Sequence, residues 1–186
     1  MNSADRAIQR WRFSVAAPSI PADSRILDIG AHHGDLFEYL GDRIAPSVGI
    51  DDEIASDTSA GRHELLAGRF PDRMPDGVFD AATLLAVVEH LDEALLDRCA
   101  TGLLSVLRPR GVVVVTMPSP RADGLLCLMC RARLIEGMDL DAHHGVTTDA
   151  VVTSWCGAGM ILRTRRRFEM GCNNLLVFAV PDGRPR

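Results

Sequence analysis

Residues 27–36 read LDIGAHHGDL, and this stretch decides the fold. An apolar run ends in Asp-Ile-Gly, four residues follow, and a helical pattern begins near Asp35. Gly30 permits a tight bend, and Gly34 lets a ligand approach the first backbone N–H groups of the helix. The stretch predicts a strand, a nucleotide-binding turn and a helix, with Asp35 and Glu38 spaced as a capping box.

The two histidines of this turn offer a metal site as the alternative interpretation. Side chains of adjacent residues point in different directions on a regular backbone, and no acidic or thiol partner of His32 or His33 follows at ligand spacing. We therefore predict no metal ion here and place both histidines in a cofactor turn.

An acidic residue further along supports the nucleotide interpretation. Asp51 ends the next predicted strand about 20 residues after Gly30, the separation at which a doubly wound sheet holds a carboxylate against both ribose hydroxyls. The turn and the acid together are more specific than either feature alone.

Short β-branched runs alternate with helical patterns along the rest of the chain, which is typical of βαβ units. The last two strand patterns are separated only by turn residues and predict an antiparallel hairpin. We predict an α/β fold with a mostly parallel seven-stranded sheet that ends in this hairpin. The predicted strands are 25–29, 47–51, 64–67, 79–86, 111–116, 161–168 and 174–180, and the predicted helices are 35–40, 92–107 and 148–156.

Length and composition favour one ordinary globular domain. The chain has 186 residues, of which 47% are hydrophobic, so we expect a single domain over 1–186 with a helical extension over 1–20. Residues 118–146 break the alternation and are interpreted as a substrate loop or lid. No signal peptide or membrane span is evident, so we expect a cytoplasmic protein without a membrane partner.

Charge and cysteine patterns exclude further function classes. The net charge of -5 gives no general reason to bind nucleic acid, and the run RTRRR over 163–167 is interpreted as a solvated strand face. The five cysteines are scattered, and the C-x-x-C of Cys127 and Cys130 lacks the second pair of a zinc site. We expect reduced thiols, no nucleic-acid partner and no bound metal.

Five segments in order resemble the class I S-adenosylmethionine-dependent methyltransferases, in particular the small bacterial type 11/12 group. They cover nearly the whole of 25–180 and comprise LDIGAHHGDL at 27–36, VGIDDE at 48–53, PDGVFDAATLLAVVEHL at 75–91, LLSVLRPRGVVVVTMPSP at 103–120 and FEMGCNNLLVFAV at 168–180. The resemblance implies a Rossmann-like three-layer αβα sandwich and S-adenosyl-L-methionine as the cofactor.

The same resemblance implies which residues hold the cofactor. The turn would contact its methionine part, Asp51 with its neighbour Asp52 the ribose, Phe70 the adenine, and Leu85 would wall the pocket. His32 replaces the family's middle glycine, and Arg69 stands where the family often has an aspartate. The cofactor-binding residues predicted on this basis are Asp28, Gly30, Ala31, His32, Gly34, Asp51, Asp52, Arg69, Phe70 and Leu85.

Histidines are the candidates for the catalytic base. Methyl transfer to oxygen benefits from a base whose pKa is near neutral, and His90 follows the fourth strand at the edge where such folds bind ligands. His143 and His144 lie in the predicted substrate loop. We expect a small-molecule acceptor methylated at a hydroxyl, in a site that is open or completed by the second subunit of a homodimer.

Two other function classes use the same kind of turn. A nicotinamide oxidoreductase is disfavoured because position 35 is Asp instead of the third glycine of G-x-G-x-x-G. A non-catalytic relative, acting as a binding or structural partner, remains open because His32 and Arg69 both fall in the binding motifs.

Overall fold

A mixed eight-stranded sheet forms the middle of the molecule in the computed structural model, which describes residues 3–119 and 146–183. Its strands are β1 (Ile26–Ile29), β2 (Val48–Asp51), β3 (Thr58–Ala60), β4 (His63–Ala67), β5 (Phe79–Leu85), β6 (Leu107–Pro118), β7 (Ile161–Phe168) and β8 (Asn173–Ala179). The α-helices of this part are α1 (Ser3–Ala16), α2 (Asp35–Leu40), α3 (Glu93–Val106) and α4 (Thr148–Gly157), with 3-10 turns at Ala17–Ser19, Gly41–Arg43, Val88–His90 and Glu169–Gly171.

The strand order is β3-β4-β2-β1-β5-β6-β8-β7. Strands β4, β2, β1, β5 and β6 run parallel, whereas β8 is antiparallel to both β6 and β7. The predicted α/β fold with a C-terminal antiparallel hairpin is therefore confirmed. Because β1 has β2 on one side and β5 on the other, the strand order reverses there, and open α/β sheets bind ligands at such a switch point.

The sheet has one strand more than the seven that the sequence predicts. Strand β3 contains only Thr58–Ala60 and pairs antiparallel with β4 at the edge of the sheet. Its three small or polar residues are mostly exposed, so they carry no alternation of buried and solvated side chains. Edge pairing, not burial, makes this segment a strand.

Two hydrophobic clusters cover the two faces of the sheet and produce the predicted three layers. Leu27 and Ile29 of β1 pack in one cluster with Leu96 of α3 and Trp155 of α4. Ile26 of β1 packs in the other cluster with residues of α1 and α2, among them Phe13 and Leu36. Since side chains alternate along a strand, Asp28 of β1 points to the face covered by α1 and α2.

Helix α2 begins at Asp35 as predicted, but the predicted capping box is wrong. The N-cap residue is Gly34, with a φ of 85° and no side-chain cap. A Cβ at this position would lie 2.8 Å from the Cβ of Ala60. The Asp35 carboxylate instead accepts a hydrogen bond from Gln9 Nε2 at 3.0 Å, which ties α1 to α2.

Strand β7 forms the other edge of the sheet and carries the arginine run. Arg163, Arg165 and Arg167 are exposed, and Arg165 Nη1 donates to Asp149 Oδ1 of α4 at 2.7 Å. The interpretation of this run as a solvated strand face agrees with the structure.

The two tryptophans of the chain provide a matched test of the core. Trp155 is completely buried against Phe178, and its Nε1 donates to the carbonyl of Leu96 at 3.3 Å. Replacing it with Ala leaves a large cavity, so Trp155→Ala should lower the free energy of unfolding by about 3–5 kcal/mol in urea titrations. Trp11→Ala, at a site that is 48% exposed, should change it little; equal effects of the two substitutions would contradict this packing.

Candidate active site

A cavity of about 460 Å³ opens at the carboxyl ends of β1, β2 and β5, where the strand order reverses. Its volume is in the range of small-molecule sites. Eight predicted site residues line it, namely Gly30, His32, Asp51, Asp52, Arg69, Phe70, Leu85 and His90. The other lining residues are Ile29, Ile50, Glu53, Gly68, Leu84, Ala86, Val87, Leu91 and Cys99.

Gly30 makes the turn after β1 compact on its cavity side. Its φ is 77°, and a Cβ at this position would stand 2.5 Å from Cγ2 of Val87. The N–H groups of Gly30 and Ala31 donate to the carbonyl of Ile50 at 2.9 and 3.3 Å, which holds the turn against β2. The bare backbone of Gly30 therefore forms part of the cavity wall, where a ligand can approach it closely.

The carboxylate of Asp51 is fixed by two backbone groups from different loops. Its Oδ2 accepts a hydrogen bond from His32 N at 2.7 Å, and its Oδ1 accepts one from Glu53 N at 2.8 Å. Each oxygen retains a lone pair for a further donor. The carboxylate is thus held in one orientation at the cavity, as binding a vicinal diol such as ribose requires.

His32 adopts the backbone conformation that a glycine would have at this turn. Its φ is 48°, in the left-handed region, which histidine occupies more often than most residues. The side chain is 49% exposed and lies between two carboxylates, with Nδ1 4.0 Å from Asp35 and Nε2 3.8 Å from Glu53. The ring also contacts His33, at 3.9 Å between centroids. A histidine is therefore compatible with the left-handed backbone conformation of this turn.

Arg69 and Asp52 form an ion pair at the cavity. Arg69 Nε and Nη2 donate to Asp52 Oδ2 at 2.8 and 2.5 Å. The next residue, Phe70, also lines the cavity, and its side chain is almost completely buried, with 2% exposed. The position where the family often has an aspartate thus carries a cation whose charge is balanced by Asp52.

Three predicted cofactor residues lie outside the cavity lining, namely Asp28, Ala31 and Gly34. Ala31 is buried against Gly49, where a Cβ would come within 2.6 Å of the Ala31 Cβ. Asp28 is buried on β1 and accepts a hydrogen bond from Thr83 Oγ1 at 2.6 Å. These residues support the turn without lining the cavity, and a direct contact with the cofactor stays a prediction for each of them.

Burial raises the pKa of Asp28 to about 7, assisted by the charges of Asp51 and Asp35 and opposed by the hydrogen bond from Thr83. A carboxyl group with this pKa keeps its proton in the folded chain under conditions where an unfolded aspartate has lost it. Asp28 therefore favours folding less as the solution becomes more alkaline.

Of the predicted catalytic histidines, His90 lines the cavity at the end of the turn Val88–His90. His143 and His144 lie outside the described residues, as does 120–145 of the predicted substrate loop. The assignment of any of the three as a base stays a prediction.

Several lining residues are not predicted from the sequence. Ala86 has a φ of 63° and donates its N–H to the carbonyl of Thr116 at 2.9 Å, which closes β5 against β6. Cys99 reaches the cavity from α3, and its helical spacing indicates only a buried position. Burial raises the pKa of the Cys99 thiol to about 12, so this thiol stays neutral and is a poor nucleophile.

Comparison with known proteins identifies the family. A model of the methyltransferase domain matches residues 3–148 of the chain. The chain belongs to the methyltransferase domain family. This membership confirms the family predicted from the sequence and agrees with its cofactor, S-adenosylmethionine.

Known members of the methyltransferase family provide further likenesses. A ubiquinone/menaquinone biosynthesis C-methyltransferase, UbiE, of Pseudomonas paraeruginosa is 31% identical over 134 residues, which are 62% of this chain and 50% of that protein. The chain thus spans half the length of this relative. The fold of the present chain is similar to that of an O-methyltransferase family protein of Burkholderia thailandensis, with a TM-score of 0.71, 14% identity and coverage of 96% of this chain and 57% of that chain. It is also similar to the N-methyltransferase NodS of Bradyrhizobium japonicum in complex with S-adenosyl-l-homocysteine, with a TM-score of 0.63, 16% identity and coverage of 97% and 89%.

Two predicted absences concern metals and membranes. Within residues 3–119 and 146–183, no three His, Cys, Asp or Glu side chains are placed to share a metal ion. The predicted lack of a metal stays a prediction, because His143 and His144 are outside these ranges. No helix in the described part is both long and apolar enough to cross a membrane, and the cytoplasmic location stays a prediction.

The variant Asp28→Asn tests whether the buried carboxyl group of Asp28 keeps its proton in the folded state. The folded state retains a proton between about pH 4 and pH 7 that the unfolded state loses, so stability falls as pH rises through this window. Asn keeps an acceptor for Thr83 but cannot ionise, so the variant should match the wild type near pH 4 and exceed it by roughly 4 kcal/mol at pH 8. Urea unfolding at both pH values, with Glu64→Gln as an exposed control, measures the difference; parallel stability curves would refute the assignment.

Proposed function

We propose that this chain is an S-adenosylmethionine-dependent methyltransferase that acts on a hydroxyl group of a small molecule. The observation that carries the proposal is the orientation of Asp51, whose two oxygens accept backbone N–H groups from the β1 turn and from Glu53 beside the cavity. Family membership over residues 3–148 supports it independently.

The cavity offers matching groups for each part of the cofactor. Asp51 would accept hydrogen bonds from the ribose hydroxyls, and the buried ring of Phe70 would lie against the adenine. The bare turn at Gly30 would admit the methionine part, where a Cβ would otherwise meet Val87. When bound, S-adenosylmethionine supplies an electrophilic methyl group whose bond to sulfur breaks, with the electron pair remaining on sulfur.

The remaining lining residues would orient the reactants and exclude water. Leu84, Leu85 and Leu91 give the cavity a largely apolar wall, and alignment of the reacting atoms is the protein's main contribution to such a displacement. A hydroxyl acceptor must lose a proton, for which His90 is placed at the cavity and His143 and His144 are the further candidates. The proteins compared above are named for carbon, oxygen and nitrogen acceptors. Support for a hydroxyl acceptor therefore comes from these histidines and not from the comparisons.

A non-catalytic binding protein is the second candidate. Two features favour it. Arg69 and Asp52 are paired with each other at the cavity and would have to separate to bind a ligand, and the side chain of His32 stands in the turn. Weak or absent cofactor binding would distinguish it from the enzyme.

Calorimetric titration with S-adenosylmethionine, S-adenosylhomocysteine and NAD tests the proposal directly. We expect micromolar affinity for the first two compounds and none for NAD, since the third glycine of a dinucleotide turn is missing. Binding of NAD alone would favour an oxidoreductase, and binding of none of the three would favour the non-catalytic candidate. Light scattering of the same sample tests the predicted homodimer.

Asp51→Asn should weaken the affinity for S-adenosylhomocysteine by roughly 100-fold, because one oxygen replaces the two that pair with the ribose and hydrogen bonds to a charged group contribute about 1.5–3 kcal/mol each. Asp182→Asn is the matched control, since Asp182 pairs with Arg110 and does not line the cavity. An Asp51 variant that binds as tightly as the wild type would remove the main support for the proposal.

A further inference from the structure

Ala67, the last residue of β4, has its backbone N–H and carbonyl bound by two side chains. The N–H donates to Asp57 Oδ1 at 2.9 Å, and the carbonyl accepts a hydrogen bond from Arg73 Nη1 at 2.8 Å. Strand β3 begins at Thr58, which pairs with Leu65, so no residue of β3 lies opposite Ala67. Because backbone polar groups require partners, the two side chains complete the sheet where its edge strand is too short.

Asp57 and Arg73 also bind each other, and we call these two residues the Ala67 clamp. Arg73 Nη2 donates to Asp57 Oδ2, while Nη1 of the same guanidinium holds the carbonyl of Ala67. The hydrogen bond from Arg73, and secondly the one from Ala67, lowers the pKa of Asp57 below its usual value. The carboxyl group is therefore ionised, which strengthens both bonds that it accepts.

Arg73 extends this contact to the loop that follows β4. Its backbone N–H donates to the carbonyl of Arg69 at 2.9 Å. Its aliphatic stem lies beside Gly68, where a Cβ would come within 3.2 Å of Arg73 Cδ. Arg73 thus contacts three consecutive residues, from Ala67 to Arg69.

The loop held by Arg73 forms one end of the cofactor cavity. Gly68, Arg69 and Phe70 all line this cavity. The N–H of Gly68 donates to the carbonyl of Asp51 at 3.0 Å, so the loop is tied to the residue that holds its carboxylate at the same cavity. A shift of the chain where it leaves β4 would therefore move one end of the cavity relative to Asp51.

The exposure of the clamp indicates that it acts on the path of the chain more than on stability. The side chains of Arg73 and Asp57 are 41% and 49% exposed. Ion pairs at exposed sites contribute little to stability, because water competes for both charges. The guanidinium presents its N–H groups in fixed directions, so it can set the position of a main-chain group such as the carbonyl of Ala67.

We propose that Asp57 and Arg73 are positioning residues for the cofactor. By holding Ala67, they keep the loop of Gly68, Arg69 and Phe70 at the distance from Asp51 that the adenosine part requires. The inference rests on the proposed function, which assigns this end of the cavity to the adenosine part of S-adenosylmethionine. Both clamp residues lie outside the cavity lining, so they act through the backbone and not by contact with the cofactor.

Calorimetric titration of S-adenosylhomocysteine and of adenosine into the wild type, Arg73→Gln and Asp57→Ala tests this role. Each substitution releases one backbone group of Ala67, so the cavity is less well organised before binding and both affinities should fall about 10-fold. The two ligands share adenosine, so they should lose affinity by the same factor. The double variant should lose no more than either single variant, because the two side chains act as one unit.

Arg98→Gln is the matched control for Arg73→Gln. Arg98 of α3 pairs with Asp72 of the same loop at similar exposure, and this pair joins side chains alone. Both variants should stay folded with a Tm within about 3 °C of the wild type. Arg98→Gln should leave the affinity for S-adenosylhomocysteine within about 2-fold, whereas a merely structural clamp would leave this affinity unchanged in folded Arg73→Gln as well.

The outcomes separate this inference from the proposed function. A wild type that does not bind S-adenosylhomocysteine would overturn both. If the wild type binds it, and Arg73→Gln and Asp57→Ala bind it equally tightly, the positioning role is overturned while the cofactor site stands. An equal loss in Arg98→Gln, or a loss for S-adenosylhomocysteine that adenosine does not share, would also overturn the inference.

Discussion

The hydrogen bond from the backbone of His32 to the carboxylate of Asp51 connects the two strands on which the site depends. It joins the turn after β1 to the end of β2, and the second bond, from Glu53, fixes the carboxylate from its other side. A neutral side chain at this position could not accept both N–H groups equally well. Because a charged acceptor strengthens each bond, the cavity is organised before a ligand arrives.

The main features of the fold follow from hydrophobic patterning, which is strong where strands are buried on both faces. The run of valines in β6 and the apolar stripe of α3 predict their elements to within a few residues. Strand β3 escapes prediction because the small or polar residues of Thr58–Ala60 are mostly exposed and carry no alternation of buried and solvated side chains, although the partner strand β4 begins as close as His63. The capping box at Asp35 is wrong because the left-handed Gly34 gives the chain a different entry into the helix.

The site is partly predictable, and the limit lies in three-dimensional neighbours. Gly30 and Asp51 occupy positions that strand ends and spacing indicate, and Phe70 occupies one that the family resemblance implies, so their place at the cavity can be expected. Cys99 comes from a helix that packs across the sheet, and only the folded arrangement brings it there.

The exposed arginines of β7 restrict how two copies of the chain can associate. An edge strand has unpaired backbone N–H and C=O groups. These groups could pair with the edge strand of a second copy and form one continuous sheet. Antiparallel pairing of two β7 strands would bring Arg163, Arg165 and Arg167 of one copy against the same residues of the other, and like charges in opposition are unfavourable. A continuous sheet across two copies is therefore disfavoured at this edge, and a helical or loop surface is the better candidate for self-association.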